Sequence, residues 1–338
     1  MTRPIFPHCV DSTMLSAFRS CPQSMFRSYL EHWKPKAESV HLIAGGAFAK
    51  GVEVARKVYW EGLVPQYSSA QSAETGLWST HFDGELFVES AKGDSVLAVS
   101  EGLHALLVAY GDFECPPESA KSCERMCGAL EYYFENYPLG HDGCSPILLP
   151  DGRRAIEFSF AEPLDIAHPV TGDPILYTGR SDMIANFAGG IYIEDDKTTT
   201  SLGAQWGRQW EMRSQFTGYC WAAKKANIIP TGVLVRGVSI LKTKYDTQSI
   251  PSYRADWEID RWEEQTHRDI ARMIQCWQNE TWDYSLDHAC AEFGGCKFVQ
   301  VCKSPNPESW LPMYFEKRVW SPLDRKQMTV AEWEASWE

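Results

Sequence analysis

The stretch GRSDMIANFAGGIYIEDDKT, residues 179–198, decides how this chain folds. β-Branched and aromatic residues recur on both sides of Ala188-Gly189-Gly190, a turn signal of the kind that joins two strands. The runs 174–187 (PILYTGRSDMIANF) and 190–197 (GIYIEDDK) therefore read as a hairpin. Side chains two apart on a strand share a face, so Asp195 and Lys197 project together while Asp196 points the opposite way. Antiparallel pairing can bring Asp182, 13 residues before Asp195, beside them.

Two acids and a lysine on one strand face suit the hydrolysis of a phosphodiester. That reaction uses a divalent cation to neutralise charge and to lower the pKa of an attacking water. Mg²⁺ takes hard oxygen ligands, typically one or two carboxylates with water and substrate completing the shell. Asp182 and Asp195 can supply them, with the backbone carbonyl of Asp196 as a third, and Lys197 can orient the water and face the developing charge. The plainer alternative is an ordinary surface hairpin, on which D-x-K triplets are common.

Outward from the hairpin, 155–166 reads as a preceding strand, 205–227 as a helix and 232–242 as another strand, with 258–280 helical again. On the helix, Gln215 and Tyr219 lie at i and i+4 on one face. Trp206 and Trp210 are either core or platforms for unpaired bases. Upstream, 12–33 carries helical spacing interrupted by Pro22, so it is a kinked helix or two short ones. A helix is expected over 47–60, after Gly45-Gly46, and others over 95–110 and 118–136. The Gly- and Pro-rich tract 138–153 reads as a loop. The order implies an α/β fold with a mixed sheet flanked by helices.

Hydrophobic residues make up 44% of the chain and charged ones 23%, ordinary for a globular protein. The net charge of −13 argues against a surface that attracts nucleic acid everywhere. It leaves room for a local basic groove and a bound cation. No signal-peptide layout is seen at MTRPIFPHCVDS, and no apolar run is long enough for a membrane span. A cytoplasmic setting is expected. There, the 11 cysteines read as metal ligands or core residues rather than disulfides. Cys290, Cys296 and Cys302 form C-x5-C-x5-C, close enough to suggest a shared metal.

GRSD, EDDKT and QFTGY together resemble the G-x-x-D, D-x-K-T and Q-x-x-x-Y series of the RecB-like PD-(D/E)XK nucleases, in order and in spacing. Glu157 stands where this family is often acidic. The resemblance implies a restriction-endonuclease-like core and Mg²⁺- or Mn²⁺-dependent cleavage of DNA. It makes Asp182 and Asp195 metal ligands and Lys197 the catalytic lysine, and lays the DNA strand along Gln215 and Tyr219. One departure stands out. The early-helix histidine of that branch has no counterpart in GGAFAKGVE, where Ala49 or Lys50 occupies its place. Glu53, one turn beyond Ala49, is the expected substitute, approaching the aspartates in space; its alternative is a solvent-facing or Arg56- or Lys57-paired acid.

The iron–sulfur members of the branch place one cysteine before the nuclease core and three after it. By that likeness Cys21, followed by Pro22, joins Cys290, Cys296 and Cys302 around a [4Fe–4S] cluster that fastens the two ends of the chain. The first spacing of the three is longer than usual, with Gly294 and Gly295 to turn the loop. Zn²⁺ on the four sulfurs, Zn²⁺ with His288 replacing one, and unliganded thiols are the alternatives, with Cys9 as the other candidate fourth ligand. The expected organisation is a single nuclease domain over 1–310. It comprises a helical N-terminal region (1–150), a catalytic core (151–245) and a C-terminal helix with the cysteines (246–303), followed by a surface-wrapping tail from 304.

The whole layout resembles stand-alone versions encoded by bacteriophages and the CRISPR-associated exonucleases. It implies an exonuclease or end-processing enzyme of recombination, repair or phage DNA metabolism, acting on single-stranded DNA or free ends beside recombination proteins. Two other readings stay open. One is a catalytically degenerate relative that binds DNA or a recombination partner; the other is an assembly protein with a zinc clip.

Overall fold

The structure is a computed structural model and describes residues 3–37, 39–65, 85–87, 91–286, 288–291, 295–321, 323 and 326–329. Gly294 lies outside the described residues.

Strand β1 (Cys9–Asp11) leads into α1 (Ser12–Ser20). Then come α2 (Val40–Glu61), α3 (Ser95–Tyr110), α4 (Cys123–Asn136) and β2 (Cys144–Pro146). The hairpin region holds β3 (Ile156–Ala167), β4 (Pro174–Phe187) and β5 (Gly190–Thr199). Helices α5 (Ala204–Arg208) and α6 (Ser214–Lys225) precede β6 (Gly232–Ile240) and β7 (Tyr245–Tyr253). The long α7 (Asp256–Asn279) is followed by α8 (Val299–Lys303) and α9 (Pro307–Tyr314).

The hairpin closes as read, with Phe187 opposite Gly190. Ala188 and Gly189 both take positive φ, 47° and 81°, the two-residue turn whose twist matches paired strands. β4 is the organising strand of a seven-stranded mixed sheet. On one edge it pairs antiparallel with β3 and then β2. On the other it pairs parallel with β1 over Leu176–Thr178, then antiparallel with β5 from Met183 onward. Between these two partners the edge over residues 179–182, the GRSD segment, carries no ladder. β6 continues the sheet parallel to β5, and β7 closes it antiparallel.

Two cores clasp the sheet. On one face α1, α6 and α7 bury Phe18, Phe216, Trp262 and Met273 against Tyr177, Ile184, Ile193 and Val235. A second core joins α2, α3 and α4 to Val238 and Ile240 near the end of β6. A small cluster of Met183, Ala185, Tyr192 and Leu234 lines the sheet face under Trp60 of α2. Trp206 and Trp210 are both buried in the first core at 7% exposure, which settles their reading as core residues.

Several expectations are corrected. The 205–227 helix is broken into α5 and α6, because the Trp210 carbonyl accepts from Arg254 Nη2 at 2.7 Å, where an unbroken helix would use it for residue 214. The glycine pair 45–46 does not precede α2 but lies within it. Gly45 passes over the end of β5, where an added Cβ would stand 3.8 Å from Thr198 Oγ1. The expected helix over 118–136 begins at Cys123, capped by Ser122, whose hydroxyl accepts from the Arg125 N–H. Residues 144–146 of the expected loop pair with β4, and the polar strand β7 went unread. Pro22 does divide the first helical run, since α1 ends at Ser20 and new turns span 22–25 and 26–30.

Helices α2 and α3 meet backbone to backbone. A Cβ on Gly102 would stand 2.7 Å from the Gly51 carbonyl oxygen, and one on Gly51 would stand 2.9 Å from that of Gly102. Gly102→Ala should therefore destabilise the protein by about 1–3 kcal/mol through overpacking, against the roughly 1 kcal/mol that alanine ordinarily gains in a helix. A urea midpoint that rises in this variant would contradict the contact.

Candidate active site

The unladdered GRSD edge and the end of β5 bring the expected acids together. The β4–β5 register pairs Met183 with Glu194, and one step further sets Asp182 opposite Asp195. Asp182 Oδ2 accepts the backbone N–H of Asp196 at 2.7 Å. Lys197 Nζ forms a close ion pair with Asp195 Oδ1. About a third of the Lys197 side chain reaches solvent while Asp195 is buried. The Lys197 ammonium also lies 6.0 Å from the centre of the Phe216 ring on α6.

Gly179 marks the tightest point. A Cβ there would stand 2.4 Å from Phe160 and 2.9 Å from the Tyr219 ring, so glycine lets α6 approach the strand. Gln215 Nε2 donates to the Tyr219 hydroxyl at 2.9 Å. The Tyr219 ring is 7% exposed and packs between Phe160 and Phe216, so it offers no open face to a base. Its hydroxyl instead senses the acids. Burial, then the Asp195 charge, push its pKa upward.

Glu157, directly across from Asp182 in the β3–β4 register, is a third acid. Its backbone is left-handed, φ 54°, an uncommon state for a non-glycine residue. The consequence is visible in packing: Ile156 faces the Met183 and Tyr192 cluster, whereas Phe160 faces the α6 core. Strict alternation would put both on one side. Arg180 Nε lies 2.6 Å from Glu157 Oε2. Burial, then the neighbouring Glu53 charge, push the Glu157 carboxyl up to about 7.

Glu53 on α2 is 8% exposed and lies beside Glu157, which in turn acts on Asp182. Its two oxygens pair with Lys50 and Lys57 at 3.0 and 3.1 Å. Burial opposes its ionisation, but the two lysines outweigh it and lower its pKa. Thus Glu53 joins the acids through Glu157, and Lys50, at one alignment of the missing histidine, serves as its ion-pair partner.

Asp195 pairs with Lys197, Glu157 with Arg180 and Glu53 with Lys50 and Lys57, but Asp182 has no ion-pair partner among the described residues. Burial, then Asp195, Asp196 and Glu157, hold the Asp182 carboxyl well above the usual carboxylate range. Burial likewise raises Asp195 despite Lys197. Asp195 Oδ1 and Glu157 Oε2 receive no hydrogen bond beyond these ion-pair contacts among the described residues. Two hard carboxylates, Asp182 and Asp195, fit a divalent cation whose other positions water and substrate fill; no third acid stands at shared-metal spacing among the described residues.

The sulfur set is placed differently. Cys21, Cys290, Cys296 and Cys302 all line one pocket, beside Arg27 and Phe298, and burial, then Cys296, raise the Cys302 thiol, with Cys21 and Cys290 adding to the effect. They do not converge on one point as expected. Among the described residues no three His, Cys, Asp or Glu side chains are spaced to share a metal, and the Cys290 thiol turns to the Ser285 carbonyl at 3.5 Å. The N- and C-terminal regions are joined by strand pairing. Residues 33–35 pair antiparallel with 315–317, over a small core of Phe298, Val301, Leu311 and Phe315. Gly295, φ 96°, turns the cysteine loop.

Sequence reasoning missed Arg56, Tyr133 and Arg236, buried on the far side of β5 and in contact with Glu194 and Asp196. The local signal was present in EDDK, since alternation sends Glu194 and Asp196 to the side opposite Asp195. Two acids sent inward need cations.

The sequence matches the PD-(D/E)XK nuclease superfamily over residues 12–303. The chain belongs to that superfamily. Nucleases of this superfamily typically use a divalent metal. Among solved structures this nuclease-superfamily chain is similar to the crystal structure of SSO0001, at 16% identity and a TM-score of 0.25, over 44% of this chain and 61% of that one. No curated protein matches the sequence. Among the described residues no helix is long and apolar enough to cross a membrane.

The raised Asp182 pKa has a measurable consequence. A carboxyl whose pKa is raised on folding destabilises the fold while it is ionised and ceases to do so as it takes up its proton. Asp182→Asn keeps an oxygen to accept the Asp196 N–H. At neutral pH, without metal, this variant should melt higher than wild type, by about 1–2 °C per kcal/mol of repulsion removed. The gap should shrink as pH falls through the raised titration range. A lower melting temperature at neutral pH would show that Asp182 is not strained by its neighbours.

Proposed function

We propose that this protein is a Mg²⁺- or Mn²⁺-dependent deoxyribonuclease acting on single-stranded DNA or free ends, an exonuclease or end-processing enzyme of recombination, repair or phage DNA metabolism. The observation that carries the reading is the grouping of Asp182, Asp195 and Lys197 at the open edge of β4, where Asp182 has no ion-pair partner among the described residues. Asp182, Asp195 and the Asp196 carbonyl would hold the cation. Bound there, it supplies charge neutralisation on the phosphate and a lowered pKa for the attacking water. Lys197, paired with Asp195, orients that water and faces the charge that develops on the phosphate. Glu53 contributes at one remove, through Glu157. Gln215 and the Tyr219 hydroxyl border the strand nearest the acids.

The cysteine pocket is proposed to hold a [4Fe–4S] cluster, with Zn²⁺ as the alternative. Thiolates select soft metals and carboxylates hard ones, so the two sites take different ions. Arg27 in the pocket wall offsets thiolate charge. The setting is a cytoplasm, that of the bacterial host if the chain is phage-encoded, with recombination proteins as the expected partners.

A second reading, DNA binding without cleavage, draws on one observation: both Glu53 oxygens are already taken by lysines, and the histidine of the branch is missing. One assay separates the two. End-labelled single- and double-stranded DNA, incubated with Mn²⁺ or Mg²⁺, should be degraded, and EDTA should stop it. Asp195→Asn and Lys197→Ala should each lose about 10²–10⁴-fold or more, the range of a catalytic acid–base or electrostatic group. Asp195→Asn protein that cleaves like wild type would overturn the assignment, and binding without cleavage by wild type would establish the second reading.

The metal content of anaerobically purified protein is a separate test. About four iron atoms per chain with broad absorbance near 400 nm are expected. Zinc without iron would replace the cluster with a zinc clip, and neither metal would leave four thiols lining an ordinary pocket.

A further inference from the structure

Strand β5 carries its charges in alternation. Asp195 and Lys197 lie on the α6 side, and Glu194 and Asp196 on the α2 side. The far side is closed: Arg56 is 3% exposed, Arg236 3%, Glu194 0% and Asp196 9%. There Arg56 Nη1 donates to Asp196 Oδ2 at 2.7 Å, and Nη2 donates to Glu194 Oε1 at 2.5 Å and to the Tyr133 hydroxyl at 3.0 Å. The Tyr133 hydroxyl donates its own proton to Asp196 Oδ1 at 2.5 Å. Cys144 Sγ donates to the other Glu194 oxygen at 2.9 Å, and Arg236 reaches Glu194 at 3.4 Å and Asp142 at 2.5 Å. Both Asp196 oxygens are thus fixed, from two different helices, α2 and α4.

Asp196 is also the residue whose backbone N–H holds Asp182 Oδ2. Its side chain is gripped on one side of the sheet while its main chain orients a catalytic-side acid on the other. We infer that Arg56 and Tyr133 are positioning residues for the carboxylate site: by clamping the Asp196 side chain they fix the main-chain N–H that aims Asp182 and the carbonyl beside it. No far-side side chain contacts Asp182, Asp195 or Lys197, so the network's geometric influence reaches the site through the Asp196 backbone, beside the through-space effect of its charges on Asp182. A fork with two donor nitrogens suits the task, because it locks Asp196 and Glu194, two positions apart on β5, to a single point on α2. An ion pair buried this completely is weak evidence of added stability, since desolvation offsets the attraction. A positional role accounts for its presence where stability does not.

This inference rests on the nuclease reading of the Asp182–Asp195–Lys197 site, and the test separates the two. Mn²⁺ binding to wild type, Tyr133→Phe, Arg56→Lys and Asp195→Asn is measured calorimetrically on metal-free protein, with DNA cleavage followed alongside as kcat and KM. Supporting groups behind metal ligands typically govern affinity or activity by about 10–100-fold. Arg56→Lys should weaken Mn²⁺ binding about tenfold or more and lower kcat, with KM for DNA little changed. Tyr133→Phe, which removes one oxygen from a buried ring, should act in the same direction by less. Far-ultraviolet circular dichroism and a cooperative melt establish that each variant is folded. Wild-type Mn²⁺ affinity in folded Arg56→Lys and Tyr133→Phe, even with lowered melting temperatures, would reduce the network to a structural role and overturn the inference. No Mn²⁺ binding by wild type would fail the nuclease reading itself. If Arg56→Lys does not fold, Tyr133→Phe decides alone.

Discussion

The arrangement depends on one strand being shared by four partners. β4 is long enough to pair with β1 and β5 on one edge and with β3 and β2 on the other. The partners on the first edge diverge at the GRSD segment. An unladdered backbone edge inside a sheet is costly unless something uses it. Here the opening is filled by side chains from β4, β5 and α6, and Asp182 gains its hydrogen bond from β5 across the gap. A glycine at 179 admits Phe160 and Tyr219 to the same spot. Fold and site are therefore one constraint: the strands must fork for the acids to meet, and the acids must be held because the strands fork.

The second constraint is electrostatic. Between residues 194 and 197 the sequence places three acids and one lysine, and period-two geometry sorts them onto two faces. The inner pair is neutralised by Arg56 and Arg236, and further satisfied by Tyr133 and Cys144. On the outer face Asp195, Glu157 and Glu53 each have a cation, but Asp182 is held only by a main-chain N–H. The shortfall on the outer face is confined to Asp182, the acid nearest the open edge of β4. A site that must accept a cation from solvent has to be built short of positive charge, and the superfamily chemistry calls for such a site. The left-handed backbone at Glu157 is of a piece with it, as uncommon backbone conformations persist where the surroundings force them.

How much of this could be read from the sequence follows from the range of each interaction. The hairpin, its turn and the shared face of Asp195 and Lys197 are local, and residues 174–199 folded as their periodicity dictated. The Gln215–Tyr219 pair was equally legible, being one helical turn. The break between α5 and α6 was not, because the donor that captures the Trp210 carbonyl comes from Arg254, 44 positions away. The Arg56–Asp196 contact spans 140 positions, and Arg56 in isolation looks like any helix cation. β7 hid behind its polar residues and Pro251, tolerable in an edge strand. The cysteines were brought to one pocket as the likeness to iron–sulfur relatives implied, but their thiols are not disposed around a common centre. Near them, strand pairing between residues 33–35 and 315–317, which no motif announced, joins the two regions of the chain.

If the acids at the β4 edge await a hard divalent cation, diffraction from crystals soaked in Mn²⁺, recorded where manganese scatters anomalously, tests it most directly. A single strong anomalous peak is predicted between the carboxylates of Asp182 and Asp195, within bonding reach of the Asp196 carbonyl and absent in Asp195→Asn crystals. Crystals that bind no manganese there, or bind it only among the cysteines, would contradict the assignment.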